Sequence, residues 1–497
     1  MRILLLIIFF TFSFSSFSQR VVYSENPAGQ RIKDAPYYHI EGKVNDNFLV
    51  FKNTRWEHSV IVYNDSMQMK KYVDLAFLPK ETVSVNFFAY PQFVWIVYVY
   101  QKRNMLYCMA AKINEYAELI NKPILLDSDH MSFFANKNIY GVVRSEDQSK
   151  IGIIKHELSK DGILFSRLLY NNQMQLLNRS EKKNFINGKN EYFNNFSVNN
   201  DGDLIFTGSF FGQVYSHPIE EAQLFMQKNN EDSVRVENIP LDGKLLNELF
   251  LKIDNRNHHI LINSLYTSNI NIEGLFTAVW NVENQKWAAV KISQLGAPIK
   301  ALAKKTSDVG TALNQFYISK IILKNNGGFI VAAEEIETNY ATGIPYIPNK
   351  SVSSSLYDTY KYDAQEFWQG IPKSMNSYEW GANYNNILLL DADSSGNLQW
   401  GNVMEKKQTG SGLGWFSFGV VLRGEKLDFI YNKSFKQIWL LENKSISFDG
   451  KVIDNPLMHR LRENYVFIPA SGMQISENEF VIPCIHKNDL YFAKIQF

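Results

Sequence analysis

Residues 196–209 read Phe-Ser-Val-Asn-Asn-Asp-Gly-Asp-Leu-Ile-Phe-Thr-Gly-Ser, and this pattern decides the fold. Phe196 and Val198 alternate with polar residues, the period of a half-buried strand. Asp201-Gly202 supplies the φ > 0 residue that a tight hairpin needs. Leu204, Ile205 and Phe206 follow as a wholly apolar run, as in a strand covered on both faces. The phrase is strand, turn, strand.

Working outward, looser copies recur on both sides. The first spans 38–53 and turns at Val44-Asn45-Asp46-Asn47; the second spans 83–100 and turns at Tyr90-Pro91-Gln92. The third spans 132–144, turning at Asn136-Lys137-Asn138, and the 196 phrase is the fourth. The fifth (249–266) turns at Asp254-Asn255-Arg256-Asn257, and the sixth (316–334) at Asn325-Asn326-Gly327-Gly328. The seventh (416–432) turns at Arg423-Gly424-Glu425, and the eighth (473–485) at Ser476-Glu477-Asn478. Further hairpins are signalled at Asp161-Gly162 and Asp449-Gly450. Apart from one insertion, turn centres fall about 45 to 70 residues apart, room for the four strands of one propeller blade.

The expected fold is therefore all-β: a β-propeller of seven or eight four-stranded blades, eight preferred. The last unit offers three strands, 473–476, 479–485 and 490–497. Arg20-Val21-Val22-Tyr23 would supply its fourth, so that the N- and C-terminal strands close the ring. Seven blades follow instead if the first or third unit is incomplete. Pro483 fits a sheet edge or a bulge, because proline cannot donate to a ladder. Residues 112–121 and 219–228 read as short helical connectors. Tyr491, Ala493, Ile495 and Phe497 alternate as in the closing strand of an outer-membrane barrel, but membrane strands of ~10 residues are not repeated along the chain, and a closing blade strand accounts for them.

Composition narrows the function. Of 497 residues, 51 are basic and 50 acidic, a net charge of +1 that gives no drive toward nucleic acid. Aromatics reach 14%, which favours pleated surfaces. Cys108 and Cys484 are the only cysteines, each within an apolar run, so a disulfide framework or a cysteine zinc site is not expected. Met1-Arg2, the apolar run 3–14 and the small residues of Ser16-Phe17-Ser18 read as an export signal over 1–18, with Gln19 as the mature start. No cysteine follows it, so a lipoprotein is not expected. Residues 19–497 then form a single β-propeller domain with a loop insertion at about 337–385, exported and without a transmembrane segment.

Catalytic and metal motifs are weak. Asp391-Ala392-Asp393-Ser394-Ser395-Gly396 has the opening of a calcium loop, but position twelve is Asn402 where a bidentate Glu belongs, so a hairpin turn fits better. His258-His259 are neighbours on a strand and diverge, as do Glu334-Glu335, which read with Glu337 as a solvated strand end. Gly410-Ser411-Gly412-Leu413-Gly414 precedes a strand rather than a helix and reads as a connector. No catalytic residue, metal or cofactor is assigned. Residues 340–384, in contrast, hold ten aromatics in 45 residues. Loops on rigid scaffolds carry binding, and Tyr and Trp are enriched at contact surfaces. Tyr357, Tyr360, Tyr362, Phe367, Trp368, Tyr378 and Trp380 are the candidate partner contacts.

The export signal ending Phe-Ser-Gln, followed by Asn-rich blades, resembles exported β-propeller proteins of Bacteroidetes-type Gram-negative bacteria. That resemblance implies a non-enzymatic interaction scaffold of the periplasm or outer-membrane face. Its partner would be a protein of the envelope, such as a large outer-membrane export channel of the type IX secretion translocon kind. The alternative is a carbohydrate-binding or carbohydrate-active propeller with its site at the central channel.

Overall fold

In the computed structural model, residues 20–25, 37–53, 57–130, 139–159, 162–180, 183–185, 191–211, 218–268, 271–306, 313, 315–338, 382–410, 416–435, 438–455, 461–462, 465–487 and 489–497 are described. Their antiparallel strands pair almost entirely in chain order into seven hydrogen-bonded sheets. Six hold one four-stranded unit each, some with a short extra strand. The nine-stranded sheet holds two units, Glu191–Val198 to Val234–Asn238 and Phe250–Asp254 to Lys286–Gln294, linked through the two-residue strand Leu245–Leu246. That makes eight blades. Blades 1 to 4 open with Tyr37–Val44, Thr82–Ala89, Tyr140–Arg144 and Glu191–Val198; blades 5 to 8 open with Phe250–Asp254, Phe316–Leu323, Phe418–Arg423 and Met473–Ser476.

The hydrophobic core proves the count independently. Eight of its nine clusters among the described residues are seams, each shared by two successive blades; the ninth is the small group of Tyr384, Phe416 and Ile336. Phe51 and Ile96 join blades 1 and 2. Val97 and Ile151 join 2 and 3, Phe165 and Phe206 join 3 and 4, and Leu224 and Phe276 join 4 and 5. Leu261 and Phe329 join 5 and 6, Ile330 and Phe429 join 6 and 7, and Ile430 and Phe480 join 7 and 8. Phe492 and Tyr63 then join blade 8 back to blade 1, so the ring closes. A blade buries its two faces only against its neighbours, which is why both faces of these strands are apolar.

Closure occurs where the sequence places it. Arg20–Tyr23 pairs antiparallel with Asp489–Gln496, from Arg20 opposite Gln496 to Tyr23 opposite Ala493. Beyond them the Ser24 N–H donates to the Phe492 carbonyl at 2.7 Å, and the Ser24 hydroxyl accepts from the Phe492 N–H at 3.0 Å. The Tyr23 hydroxyl accepts the Arg462 N–H at 2.9 Å, while the Arg462 guanidinium lies 4.7 Å from the Tyr23 ring centre.

The opening phrase forms the first hairpin of blade 4. Phe196 stacks on Phe206 at 4.6 Å, and Phe206 on Phe225 at 4.8 Å, a ladder across three strands. Gly202 has φ of 94°, and a Cβ there would lie 2.6 Å from Leu169 of blade 3. The same turn recurs widely: the first residue's N–H bonds four residues on, its carbonyl takes the N–H three residues on, and that residue has φ > 0. Asn64, Asn114, Asn171, Asn199 and Asp393 each open such a turn and cap it with the side-chain oxygen.

Several expectations are corrected. Ile219–Gln227 is not a helix but the third strand of blade 4. Its Leu224 fills one seam and its Phe225 the other, a burial that outweighs the helix-forming Glu-Glu-Ala-Gln stretch. Residues 112–121 are the end of the strand Met105–Ile113 and a turn in which buried Ala117 takes φ of 60°. The one α-helix among the described residues is Ala297–Thr306, between blades 5 and 6. The blade 3 hairpin turns between Arg144 and Lys150 rather than at Asn136-Lys137-Asn138, which lies outside the described residues. Pro483 is in a central strand, but its inner neighbour is broken into Val466–Phe467 and Met473–Ser476 around a 3₁₀ turn, Pro469–Ser471. The missing N–H falls opposite that break, while the Pro483 carbonyl still accepts from Ile468 at 2.8 Å. The export signal, residues 1–18, also lies outside the described residues.

Strand alternation assigns the connections to two faces. First-to-second hairpins, of two to five residues, emerge on one face. Second-to-third connections and crossings between blades emerge on the other.

Candidate functional site at the stem of the blade 6 insertion

The long insertion joins the second and third strands of blade 6, Phe329–Thr338 and Ala382–Ala392, and so leaves the crossover face. Its stem is tighter than the expected bounds of 337–385, because pairing continues to Thr338 opposite Ala382. The seven aromatic candidates, Tyr357, Tyr360, Tyr362, Phe367, Trp368, Tyr378 and Trp380, lie outside the described residues.

Beneath the insertion is a buried polar brace. Glu334, Glu335 and Glu337 are not a solvated strand end: each is 5% exposed or less. Adjacent strand residues face opposite seams, and the partners follow. Glu334 faces blade 7, where the Lys406 ammonium approaches its Oε1 at 2.7 Å and the Ser417 hydroxyl donates to its Oε2 at 2.6 Å. The lysine contact is an ion pair more than an aligned hydrogen bond, since Oε1 accepts no well-directed donor. Lys406 also donates to the Tyr384 carbonyl and to Gln408 Oε1, both at 2.9 Å. Its side chain is fully buried, and that burial lowers its pKa against the pull of Glu334.

On the opposite side, Asn386 donates to Glu335 at 2.9 Å and Asn383 to Glu337 at 3.2 Å. Gln408 then reaches blade 7, donating to the Asn432 carbonyl at 2.9 Å and accepting the Ser417 N–H at 2.9 Å. Tyr384 stacks on Phe416 at 5.6 Å. The arrangement locks the return strand of the insertion to the crossing between blades 6 and 7. Chemically it is a positioning device, with an ammonium spent on one carboxylate and two neutral oxygens.

Lys406, Gln408, Ser417 and the amides Asn383 and Asn386 are absent from the sequence-derived candidates. The available signal was Asn-Tyr-Asn-Asn at 383–386, polar residues directly preceding the apolar Ile387-Leu388-Leu389-Leu390.

The other candidates separate. Asp391 pairs with Lys324 at 2.6 Å, whereas Asp393 accepts the Ser395 and Asn397 N–H groups at 2.9 Å, and Gly396 has φ of 80°. These are hairpin contacts rather than converging ligands. His258 sits in a turn at φ of 54°, with its imidazole 3.8 Å from Glu283, while His259 begins the next strand. Among the described residues no cluster of three or more His, Cys, Asp or Glu could hold a metal. Cys108 and Cys484 are buried free thiols whose pKa values burial pushes up. Gln408–Gly410 pairs as a short strand with Ala382–Tyr384, so the glycine-rich stretch begins inside the stem and runs out of the described residues after Gly410.

Around the channel, side chains tie adjacent inner strands together. Gln474 of blade 8 accepts the Leu422 N–H at 2.9 Å and donates to the Leu422 carbonyl at 2.8 Å. Arg144 of blade 3 donates to the Ala89 carbonyl at 2.9 Å. In blade 1, His39 Nδ1 lies 3.0 Å from the buried Glu41, whose carboxyl is held above the usual range by its burial.

No family model matches the sequence, and no curated protein matches it. Among solved structures the chain is similar to the polysaccharide lyase Uly1 at 12% identity and TM-score 0.40, over 82% of this chain and 89% of that one. It is similar to prolyl oligopeptidase B from Galerina marginata at 7% identity and TM-score 0.39, over 94% of this chain but 56% of that one. It is also similar to the β-propeller domain of the Trilobed protease from Pyrococcus furiosus at 10% identity and TM-score 0.36, over 84% and 96% of the two chains. None of these likenesses carries a residue or an activity across.

Proposed function

We propose that this β-propeller is a non-enzymatic interaction scaffold of the cell envelope, exported by its N-terminal segment, which holds a protein partner through the blade 6 insertion. The observation that carries the reading is the stem. Residues 339–381 hold nine aromatics, and the strands that flank them are fixed by a buried ion pair and four side-chain amides and hydroxyls. A rigid base under an aromatic-rich connection is how a scaffold presents a contact surface with little ordering cost on binding. The partner class is a protein of the periplasm or outer membrane, with an outer-membrane export channel as the specific candidate. This localisation rests on the basic start, the apolar run 3–14 and the resemblance to exported propellers. Among the described residues, no helix is long and apolar enough to cross a membrane.

The test is affinity capture from native envelopes with mass spectrometry, comparing the full chain with a variant whose residues 341–379 are replaced by an Asn-Gly turn. Thr338 and Ala382 already pair, so the truncated blade can still close. The reading expects one defined envelope protein with the full chain and its loss with the variant, at unchanged melting temperature. Retention of the same partner by the variant would overturn it.

A further inference from the structure

Arg462 lies on the crossing from the outermost strand of blade 7, Val452–Asp454, to Val466–Phe467 of blade 8. Crossings emerge on the face from which the blade 6 insertion leaves. Both its backbone and its side chain are held. The Arg462 N–H donates to the Tyr23 hydroxyl at 2.9 Å, and the guanidinium lies 4.7 Å from the Tyr23 ring centre and 6.0 Å from that of Tyr465. The rings are fixed in turn. Tyr465 is buried and packs on Tyr23 at 4.8 Å, on His486 at 4.5 Å and on Tyr491 at 5.4 Å.

Elsewhere in the ring, arginine is spent on the fold. Arg179, Arg235 and Arg423 each meet a carboxylate, Arg144 and Arg167 meet backbone carbonyls, and Arg256 meets Asn325. Arg462 is exposed, and among the described residues no carboxylate pairs with it. Its one side-chain hydrogen bond runs from Nη1 to the Tyr465 hydroxyl at 3.4 Å. Closing the ring accounts for the stacked rings and the backbone N–H. It leaves most of the five guanidinium donors unused.

We propose that Arg462, seated on Tyr23 and Tyr465, is the anchor for a carboxylate on an acidic segment of the protein partner. This rests on the preceding reading for the existence of that partner and for the face it meets. A planar guanidinium offers a rigid fork that matches a carboxylate with two parallel hydrogen bonds. Held by two rings, it gives up little rotamer freedom on binding. Burial pushes the Tyr23 pKa up to about 12, so the phenol keeps its proton while its oxygen accepts the Arg462 N–H. Arginine and tyrosine packed together are the composition of interface hot spots.

Charge favours an acidic protein segment over an anionic membrane. Lipid headgroups are held by clusters of about four to eight basic residues. Here a single arginine sits among tyrosines, in a chain whose net charge is +1. The neighbouring hairpin is mixed in sign: His486, stacked on Tyr465, is followed by exposed Lys487 and pairs with Asp489.

The experiment is fluorescence anisotropy of a fluorescein-labelled decapeptide of alternating Glu and Gly, titrated with the purified full chain at low salt. The account expects saturable binding that is at least about tenfold weaker for Arg462→Ala, the size of one charge-assisted contact. Arg462→Lys keeps a cation over the rings, and so keeps the closing strand seated, but lacks the fork; it should bind closer to the alanine variant than to wild type. Lys487→Ala should change binding by less than about twofold. No saturable binding by the wild type, equal binding by both Arg462 variants and wild type, or an equal loss with Lys487→Ala would overturn the proposal. So would Arg462-dependent binding to phosphatidylglycerol vesicles in place of the peptide. Because the peptide is supplied directly, these outcomes are independent of whether the insertion captures its envelope protein.

Discussion

Replacing Lys406 by Met tests whether the insertion's stem depends on its buried ion pair. The substitution leaves Glu334 fully buried with only Ser417 as donor, removes the ammonium from the Tyr384 carbonyl, and leaves Gln408 Oε1 with the Ser417 N–H alone. Removing one member of a buried pair costs about 3–5 kcal/mol because the other charge stays desolvated. At ~2 cal/mol/K of unfolding entropy per residue, a chain of this length loses about 1 °C of melting temperature per kcal/mol. Lys406→Met should therefore melt ~3–5 °C below wild type by circular dichroism. Glu334→Gln should behave similarly, stranding the ammonium. The double variant Lys406→Met with Glu334→Met should recover at least half the loss, since no charge is left buried. Single variants melting within 1 °C of wild type, or a double variant whose losses simply add, would refute the reasoning.

Other seams give sharper single-site tests. Arg167, fully buried in blade 3, donates to the carbonyls of Gln227, Lys228 and Asn229 of blade 4 at 3.0 to 3.2 Å; Arg167→Met removes these bonds, leaving Lys228 only the Glu231 N–H at 3.2 Å, and should cost about 1–3 kcal/mol in chemical denaturation. Gly202→Ala adds a Cβ at φ of 94° and against Leu169, and should destabilise by about 1–3 kcal/mol, whereas Gly243→Ala, with φ of 70° but open space, should cost less. Glu41 has its folded pKa raised above 4.5, so the unfolded chain releases that proton first and stability falls as pH rises through and above that value. Glu41→Gln should thus raise the melting temperature near pH 7 and leave it unchanged near pH 4. Deleting residues 20–23 removes the closing strand and exposes the edge of Asp489–Gln496; a drop of several degrees with concentration-dependent aggregation in light scattering is expected.

Much of this fold was legible because the hairpins repeat. Seven of the eight phrases coincide with the opening hairpin of a blade, and the N-terminal closing strand was readable because only three strands remained at the C-terminus. Where glycine supplies φ > 0, as at Gly202, Gly327 and Gly424, the turn announces itself. It was silent where a buried side chain takes that conformation, as Met67, Ala117 and Met174 do while filling a seam. The helical reading of 112–121 came from that silence. The third phrase slipped because its turn, between Arg144 and Lys150, contains no glycine. The stem was harder still. Glu334 and Lys406 are 72 residues apart and meet only because blade 6 folds back across the insertion. Local pattern assigns three neighbouring glutamates to solvent, and only the seam reveals a buried lysine waiting for one of them.

The most direct measurement of the central claim is photo-crosslinking in intact cells, with a photoreactive phenylalanine at Trp368 or Tyr378 and, as a control, at Asp201 on the opposite face. The account predicts that both insertion positions trap the same single envelope protein and that Asp201 does not. Equal labelling from both faces, or no adduct from the insertion in cells that export the chain, would contradict it.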